Sequence, residues 1–264
     1  MIDNRIQKIE EFQKLIVKTI ATNRIGVNLP LIGGFRFRLL DNSPRFSIDI
    51  DYHCHGDLHQ KQGELLRVFQ STVLPLTKQK TGYSGSASEK IGPDADSPHN
   101  KVLDIAFFKE GTPYSRMETC IDITRIQRMD DPVAKTFEGA IILTLSDADM
   151  IESKVLSLFN RIYLQERDMV DLYLFKDKFR EDSPERISEK ITRSTLDWDF
   201  VKKRFKKIIG DRDYHIRNIN TIIEEQFDAI ATENLRIGGG GALVFDQAAG
   251  ILKILLKLPG KRKS

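Results

Sequence analysis

Apolar side chains recur with two different periods along the first half of the chain. A spacing of three to four residues predicts amphipathic helices, from Asn4 to Ala21 and from Gln60 to Lys78. Strict alternation of apolar and polar residues predicts a strand from Phe46 to Tyr52. Three more strands are predicted, the first two as a hairpin and the third closing the sheet: Lys101–Phe108, Met117–Thr124 and Ala140–Leu145.

After residue 145 the pattern predicts helices only. Ser146 is a suitable cap and Asp149 a first-turn acid for a helix that begins near Ala148. The later predicted helices are Glu166–Phe175, one that begins at Ser183, Asp197–Ile209, Tyr214–Ala231 and Ala242–Leu258. In the helix at 197–209, the apolar residues are expected in the core rather than on a surface that stacks bases: Trp198, Phe200, Val201, Phe205, Ile208 and Ile209.

Irregular stretches separate these elements. Thr81–Asn100 is rich in Gly, Ser, Asp and Pro, and Arg125–Phe137 is polar, so both are predicted as loops. The run Gly238–Gly241 predicts a flexible hinge before the last helix. We therefore expect an α+β protein with two domains, residues 1–145 and residues 146–264.

Composition adds little to this picture. The 264 residues include 41 Lys and Arg against 38 Asp and Glu, and the two cysteines give no disulfide framework. The basic runs Lys202–Lys207 and Lys261–Lys263 fit either solvated surface or nucleic-acid contact. The segment Ile251–Leu258 is too short to span a bilayer and is interrupted by lysines, and nothing at the N-terminus resembles a signal peptide. We expect a cytoplasmic protein without a membrane partner.

Candidate chemistry centres on a pair of aspartates. If residues 46–52 form one strand, Asp49 and Asp51 project from the same face about 6 to 7 Å apart. Two such carboxylates repel each other unless a cation lies between them, and Mg²⁺ or Mn²⁺ suits oxygen ligands. Upstream, the short apolar strand Leu29–Ile32 leads into Gly33 and Gly34, where backbone N–H groups at a helix start can approach a phosphate. Together these features predict a site for a nucleoside triphosphate and its metal.

Other polar residues in apolar surroundings have competing interpretations. Asp104 and Asp122 lie one on each strand of the hairpin, where each needs a partner such as a metal unless it faces solvent. His53, His55 and His59 suggest zinc, but no second ligand pair follows at a suitable spacing. A strand end with loop histidines is the favoured interpretation.

The residues that follow the diglycine carry a family resemblance. Gly33-Gly34, Arg38 and the run Arg45-Phe46-Ser47-x-Asp49-x-Asp51 resemble the signature of the AbiEii/AbiGii and MenT-type nucleotidyltransferase toxins, within the DNA polymerase β-like superfamily. A second block is similar to that family's lysine helix and Arg-Asp-x-x-Asp-Leu motif: Glu152-x-Lys154 and Arg167-Asp168-x-x-Asp171-Leu172. The resemblance covers roughly residues 25–180.

The resemblance implies a mixed sheet with flanking helices, followed by a helical half that completes the active site and presents the acceptor. It implies catalytic roles for Asp49, Asp51, Lys154 and Asp168. The implied nucleotide- and phosphate-binding residues are Gly33, Gly34, Arg38, Ser47, Lys154 and Asp171, with Arg45 bracing the aspartates. The implied metal ligands are Asp49, Asp51 and a third acid, for which Asp122 suits the family pattern better than Asp104.

The implied activity is transfer of a nucleotide from an NTP, with Mg²⁺ or Mn²⁺, to an acceptor. The favoured acceptor is tRNA, in a toxin–antitoxin or phage-defence system with an antitoxin encoded beside the toxin. A protein hydroxyl is the rival acceptor, and a silent NTP-binding module is the rival without catalysis. Phe35 departs from the family, in which many members carry a small hydroxylated residue there. Lys154 also has a simpler interpretation as a lysine that reaches solvent, and Arg167, Asp168 and Asp171 as a local ion-pair lattice.

Overall fold

The computed structural model describes residues 4–90, 99–112, 115–194 and 196–257. The chain divides into two compact units. The sheet unit consists of Met1–Ile126 and Asp131–Leu145, and the helical unit consists of Gln127–Asp130 and Ser146–Ser264. Within the described ranges, no helix is both long enough and apolar enough to cross a membrane.

The sheet unit contains a mixed sheet, as predicted, and its described residues form seven strands. In chain order the strands are β1 Leu31–Ile32, β2 Ile50–His53, β3 Ser84–Glu89, β4 Asn100–Phe108, β5 Met117–Thr124, β6 Val133–Phe137 and β7 Ala140–Thr144. Their order across the sheet is β3-β4-β5-β2-β1-β7-β6. The pairs β1–β7 and β2–β5 are parallel, and the other pairs are antiparallel. The α+β class and the predicted hairpin of β4 and β5 are therefore confirmed.

Among its described residues, the sheet unit also has four α-helices: α1 Asn4–Ala21, α2 Gly33–Leu40, α3 Leu58–Val68 and α4 Leu74–Thr81. α1 has the predicted bounds, and it buries Phe12 and Ile16 in a core shared with Ile121 of β5. The helix predicted at 60–78 is also present, but a π-helical turn at Phe69–Val73 separates α3 from α4. A 3₁₀ helix, Arg24–Asn28, precedes β1.

Two of the predicted loops contain strands, so those predictions were wrong in part. β3 lies within the predicted loop 81–100, whose residues 91–98 fall outside the described residues, and β6 lies within 125–137. Both are edge strands, largely accessible to solvent, and therefore lack the alternating apolar pattern of a half-buried strand. In β3, a Cβ on Gly85 would lie 2.8 Å from Leu74 Cδ2, so close packing on α4 explains a residue that suggested a loop.

The helical unit contains seven α-helices in the described residues: α5 Asp147–Asn160, α6 Glu166–Leu174, α7 Ser183–Arg193, α8 Trp198–Gly210, α9 Arg212–Gln226, α10 Ala229–Ile237 and α11 Gly240–Leu255. Ser146 caps α5 as predicted and accepts a hydrogen bond from Asp149 N. α7 begins at Ser183 as predicted, although its N-cap position is Asp182. Leu258 and the basic run Lys261–Lys263 lie outside the described residues.

Three predictions for the helical unit need correction. The helix predicted at 214–231 is interrupted, because Phe227 is buried and Asp228 caps a new helix by accepting a bond from Ala231 N. The predicted hinge is part of a helix start: Gly241 N donates to Asn220 Oδ1, and a Cβ there would lie 2.6 Å from Ile216 O. In α8, Val201 and Ile208 are buried as predicted, but Phe200 and Ile209 are exposed.

Candidate functional site

Gly33 lies directly against Asp51. The register of β1 and β2 pairs Ile32 with Asp51, and α2 begins at Gly33 with a φ of 77°. A Cβ atom on Gly33 would overlap the Asp51 carboxylate and lie 2.8 Å from Asp51 Cβ. The predicted arrangement of a short strand that leads into glycines at a helix start is therefore present, and the first glycine is also needed for the approach of an aspartate.

Arg45 and Ser47 pack on the second glycine. A Cβ atom on Gly34 would lie 2.8 Å from Arg45 Nη2 and 3.0 Å from Ser47 Oγ. Ser47 Oγ donates to Asp49 O at 3.2 Å, and the buried Arg45 donates to Phe46 O at 3.2 Å. These contacts join the diglycine to the segment that precedes the aspartates.

The predicted strand from Phe46 to Tyr52 begins only at Ile50. Residues 46–49 are irregular, and Ile48 is 52% exposed instead of sharing a buried face with its apolar neighbours. Asp51 is a strand residue as predicted, whereas Asp49 lies in a bend, and the spacing derived for two residues of one strand does not apply. The Asp49 side chain is held by β5, because its Oδ1 accepts a hydrogen bond from Cys120 Sγ at 3.1 Å.

Asp122 is the hairpin acid that the structure brings beside Asp51. The parallel strands β2 and β5 pair Asp51 with Asp122, so the two side chains project from the same face of neighbouring strands, about 4.8 Å apart along the backbone hydrogen-bond direction. Burial raises the pKa of Asp122 to about 7, and the charges of Asp51 and Asp49 act in the same direction. Asp104, by contrast, is an exposed residue of β4 that pairs with Cys120.

The donor chemistry fits a hard divalent ion. The carboxylates of Asp49, Asp51 and Asp122 provide oxygen ligands of the kind that Mg²⁺ and Mn²⁺ prefer. Burial is the main cause of the raised pKa of Asp122, and a cation would offset the repulsion from Asp51 and Asp49 that adds to it. Burial, followed by the charges of Asp49 and Asp122, raises the pKa of the nearby Cys120 thiol. Among the described residues, no three His, Cys, Asp or Glu side chains are gathered closely enough to form a metal cluster.

The histidines at the end of β2 have contacts that agree with the predicted strand end. β2 ends at His53, which is buried, and its Nδ1 accepts a hydrogen bond from Ile126 N at 3.2 Å. His53 Nε2 lies 3.1 Å from His55 Nε2, which joins the strand end to the following turn.

Arg38, a predicted phosphate ligand, is engaged with protein groups in the described conformation. Its Nε and Nη2 lie 3.2 and 3.1 Å from Glu10 Oε2, and its Nη1 donates to Ser43 O at 2.6 Å. Its guanidinium carbon also lies 4.0 Å from the centre of the Phe46 ring. Glu10 was not predicted as a partner of Arg38, and the phosphate contact of Arg38 stays a prediction.

In the helical unit, Lys154 joins the two aspartates of the second motif. Its Nζ lies 3.1 Å from Asp168 Oδ1 and 2.9 Å from Asp171 Oδ2, and both carboxylates are fully buried. Arg161 Nη1 lies 3.0 Å from Asp168 Oδ2. Lys154 is therefore part of a buried ion-pair cluster in this structure and does not extend to solvent.

A second buried cluster was not predicted. Lys190 Nζ lies 2.6 Å from Asp149 Oδ1 and 2.7 Å from Glu152 Oε2, and Arg186 Nε donates to Glu152 Oε1 at 2.8 Å. Asp149 also accepts hydrogen bonds from the backbone N–H groups of residues 129 and 130. The matching spacings were a usable signal, since the acids are three residues apart on α5 and the bases four apart on α7.

Comparison with known proteins identifies the family. The model of the family described as nucleotidyl transferase AbiEii toxin, type IV TA system, matches residues 17–237. The chain belongs to this family. The AbiEii match confirms the predicted resemblance and extends it beyond the two motifs that suggested it. A search of curated proteins gives no match.

Solved structures agree with the AbiEii assignment at the level of fold. JHP933 from Helicobacter pylori has a TM-score of 0.54 and 15% identity, covering 97% of this chain and 94% of that one. A putative nucleotidyltransferase from H. pylori has a TM-score of 0.54 and 17% identity, with 98% and 100% covered. The MenT4 nucleotidyltransferase toxin from Mycobacterium tuberculosis has a TM-score of 0.57 and 15% identity, with 97% and 85% covered.

Membership of the AbiEii family supports the assignment of this chain as a nucleotidyl transferase that uses an NTP and is the toxin of a toxin–antitoxin system. It implies a cognate antitoxin as a partner and general use of a divalent metal.

Proposed function

We propose that the chain transfers a nucleoside monophosphate from an NTP to the hydroxyl of an RNA acceptor, with tRNA as the favoured substrate. The observation that carries this proposal is the grouping of Gly33, Asp51 and Asp122: the glycine helix start lies against Asp51, and Asp51 pairs in register with Asp122 on the neighbouring strand. A carboxylate pair of this kind has little use in a scaffold, because two like charges so close together destabilise a fold without a counter-ion.

In this proposal, Asp49, Asp51 and Asp122 hold Mg²⁺ or Mn²⁺. When bound, the ion supplies charge neutralisation for the triphosphate and lowers the pKa of a coordinated hydroxyl. The backbone N–H groups of Gly33 and Gly34 bind phosphate oxygens at the positive end of the α2 dipole. Phe35 offers no hydroxyl there, so backbone groups make up a larger part of the phosphate site than in relatives that carry a hydroxylated residue.

Supporting residues hold these groups in place. Ser47 and Arg45 brace the segment before the aspartates, which agrees with their packing on Gly34. Ser47 is also a candidate phosphate ligand through its hydroxyl. Arg38 is a further candidate phosphate ligand, and Glu10 and Ser43 occupy its guanidinium in the described conformation. Exchange of the Glu10 contact for phosphate would be needed for direct binding.

The helical unit contributes Lys154 as a second catalytic group. We assign it to the charge that develops on the pyrophosphate leaving group, as a compact point charge. Asp168 and Asp171 hold the lysine side chain by their ion pairs, and Asp171 is a candidate nucleotide ligand. These roles extend the domain proposal, in which residues 1–145 bind the nucleotide and residues 146–264 complete the active site and carry the acceptor surface.

The acceptor surface is assigned to α8. Lys202, Lys203, Lys206 and Lys207 are all exposed on this helix. Phe200 is 44% exposed, and Tyr163, in the segment before α6, is 79% exposed. Arg204 holds α8 against the end of α5 by donating to Leu158 O at 2.7 Å, and its Nη1 lies 3.5 Å from Ile162 O in the segment that contains Tyr163. Exposed lysines beside aromatic rings suit an RNA strand, with phosphates on the lysines and bases stacked on the rings.

One labelling experiment tests the function. The protein is incubated with each α-labelled NTP and Mg²⁺, and with either total cellular RNA or an RNA-free lysate. The proposal expects label on RNA, and on purified tRNA in particular. Label on protein would replace the acceptor with a protein hydroxyl, and the absence of label under both conditions would favour a silent NTP-binding module.

Asp49→Ala is the matched variant. It should abolish labelling with an unchanged circular dichroism spectrum. We expect expression of the parent to arrest growth and expression of Asp49→Ala not to do so. If Asp49→Ala labels RNA as well as the parent does, the catalytic assignment is wrong. Co-expression of the cognate antitoxin should suppress this arrest, and survival of phage infection would test a role in phage defence.

A further inference from the structure

We propose that Gln13, Thr119 and Cys120 are positioning residues that fix the orientation of Asp49 for metal binding. This inference rests on the proposed function, because it takes Asp49 to be a metal ligand. Asp49 lies in a bend before β2, where no strand pairing holds its backbone. Asp51, in contrast, is fixed by pairing with β1 and β5.

Two side chains hold the peptide group that leads into Asp49. Ile48 O accepts a hydrogen bond from Gln13 Nε2 at 2.5 Å and another from Thr119 Oγ1 at 2.5 Å. Gln13 is fully buried on α1, Thr119 is buried on β5, and Gln13 Nε2 also lies 3.4 Å from Thr119 Oγ1. A carbonyl that accepts two hydrogen bonds has little rotational freedom. These bonds therefore fix the direction in which the backbone continues from Ile48 into Asp49.

A third side chain holds the carboxylate itself. Cys120 Sγ donates to Asp49 Oδ1 at 3.1 Å. Thr119 and Cys120 are consecutive residues of β5 and therefore point to opposite faces of the sheet. Thr119, on the core side, hydrogen-bonds the carbonyl of Ile48 before Asp49. Cys120, on the other side, hydrogen-bonds the Asp49 carboxylate.

This arrangement does more than pack the core. Ser47 Oγ also donates a hydrogen bond to Asp49 O. The carbonyl of Ile48, the carbonyl of Asp49 and one carboxylate oxygen of Asp49 therefore all accept hydrogen bonds from named side chains. A metal ligand held in this way meets the ion without first losing conformational freedom. Groups that orient a ligand in this manner typically change metal affinity by about 10–100-fold when they are removed.

The test measures binding of Mn²⁺ alone, by electron paramagnetic resonance and calorimetry, without nucleotide or acceptor. Thr119→Val and Cys120→Ala each remove a donor, and we expect each to weaken Mn²⁺ binding by about tenfold. Thr119→Ser and Cys120→Ser keep a donor and should restore binding to within about threefold of the parent. Thr77→Val is the matched control, because Thr77 is a buried threonine of α4 that donates to Val73 O at 2.8 Å.

The comparison with Thr77→Val separates positioning from stability. Thr119→Val and Thr77→Val should lower the melting temperature by similar amounts, and only Thr119→Val should lose Mn²⁺ affinity. Parent-like Mn²⁺ binding in Thr119→Val and Cys120→Ala would overturn the inference, and so would an equal loss in Thr77→Val. If Thr119→Val does not fold, Cys120→Ala decides alone, because Cys120 is only partly buried and its removal leaves the backbone bonds intact.

The proposed function can fail separately. If the parent binds Mn²⁺ no better than Asp49→Asn and transfers no label, the metal assignment is wrong and the inference falls with it. If the parent binds Mn²⁺ and labels RNA while the Thr119 and Cys120 variants match it, only the positioning inference is overturned.

Discussion

Gly33 and Asp51 occupy adjoining space that leaves no room for a side chain on the glycine. The register of β1 and β2 sets this contact, since Ile32 pairs with Asp51 and the helix begins one residue later. The glycine therefore meets two demands at once, a positive φ and direct contact with a carboxylate. The two motifs of the sheet unit depend on each other through this contact.

Gly33→Ala should therefore remove both activity and stability. The alanine must adopt a left-handed conformation, at about 1–2 kcal/mol, and must displace the Asp51 carboxylate that its Cβ overlaps. We expect a loss of at least about 2 kcal/mol in the free energy of unfolding, measured with urea, and loss of Mn²⁺ binding. Gly63→Ala in α3 is the control, because its Cβ would meet nothing within 4 Å and should add stability. A Gly33→Ala protein as stable as the parent would contradict the contact.

Asp122 and Asp104 can be compared directly. Asp122→Asn removes a carboxylate that pairs in register with Asp51, so it should lower both Mn²⁺ affinity and RNA labelling by about tenfold or more. Asp104→Asn changes an exposed residue and should leave both within about twofold of the parent. The reverse result would assign the third carboxylate to Asp104.

Much of the fold could be predicted because its signals are local. α1 has the bounds that its apolar spacing predicted, and the hairpin of β4 and β5 follows from alternation around a turn. Asp51 could be placed on a strand for the same reason. Its position beside Asp122 could not be predicted from local signals, because the pairing of β2 with β5 joins distant parts of the chain. Only the family resemblance favoured Asp122.

The features that escaped prediction depend on distant contacts. Asp49 continues the alternating pattern, yet Gln13 and Thr119 hold the preceding carbonyl in a bend, and these two residues are 106 positions apart. The edge strand β3 has the composition of a loop because only one neighbouring strand and α4 constrain it. Lys190 could not be predicted as a buried residue from α7 alone, because its partners Asp149 and Glu152 lie on α5.

Lys154→Met should destabilise the protein, apart from any effect on chemistry. It leaves Asp171 and Asp168 buried without the ammonium group, although Asp168 keeps Arg161. Loss of one partner of a buried ion pair costs about 3–5 kcal/mol, which urea unfolding would detect. Lys203→Met, at an exposed position of α8, is the control and should change stability by less than about 0.5 kcal/mol.

The double variant Lys154→Met/Asp171→Asn separates the two roles of the lysine. Removal of the Asp171 charge as well should recover part of the stability, while RNA labelling should be absent because the point charge of Lys154 is missing. Recovery of labelling together with stability would mean that Lys154 serves the fold alone.

The acid limb of the stability curve should depend on Glu166. Burial alone would raise the pKa of this carboxyl, but hydrogen bonds from His215 Nδ1, at 3.0 Å, and Asn218 Nδ2, at 2.8 Å, outweigh burial and hold its pKa below the ordinary value of 4.5. A carboxyl with a lowered pKa in the folded state binds fewer protons than in the unfolded state, so its contribution is complete above about pH 4.5 and is lost as the pH falls through the folded pKa.

Glu166→Gln should therefore flatten the decline of the unfolding free energy between about pH 5 and pH 3, measured by urea titration at each pH. Its free energy should also be lower than that of the parent at pH 6, because the charge-assisted bonds to His215 and Asn218 are weakened. Glu225→Gln, on the exposed side of α9, should keep the slope of the parent. An unchanged slope in Glu166→Gln would show that other carboxylates control the acid response and that the contact between α6 and α9 contributes little to it.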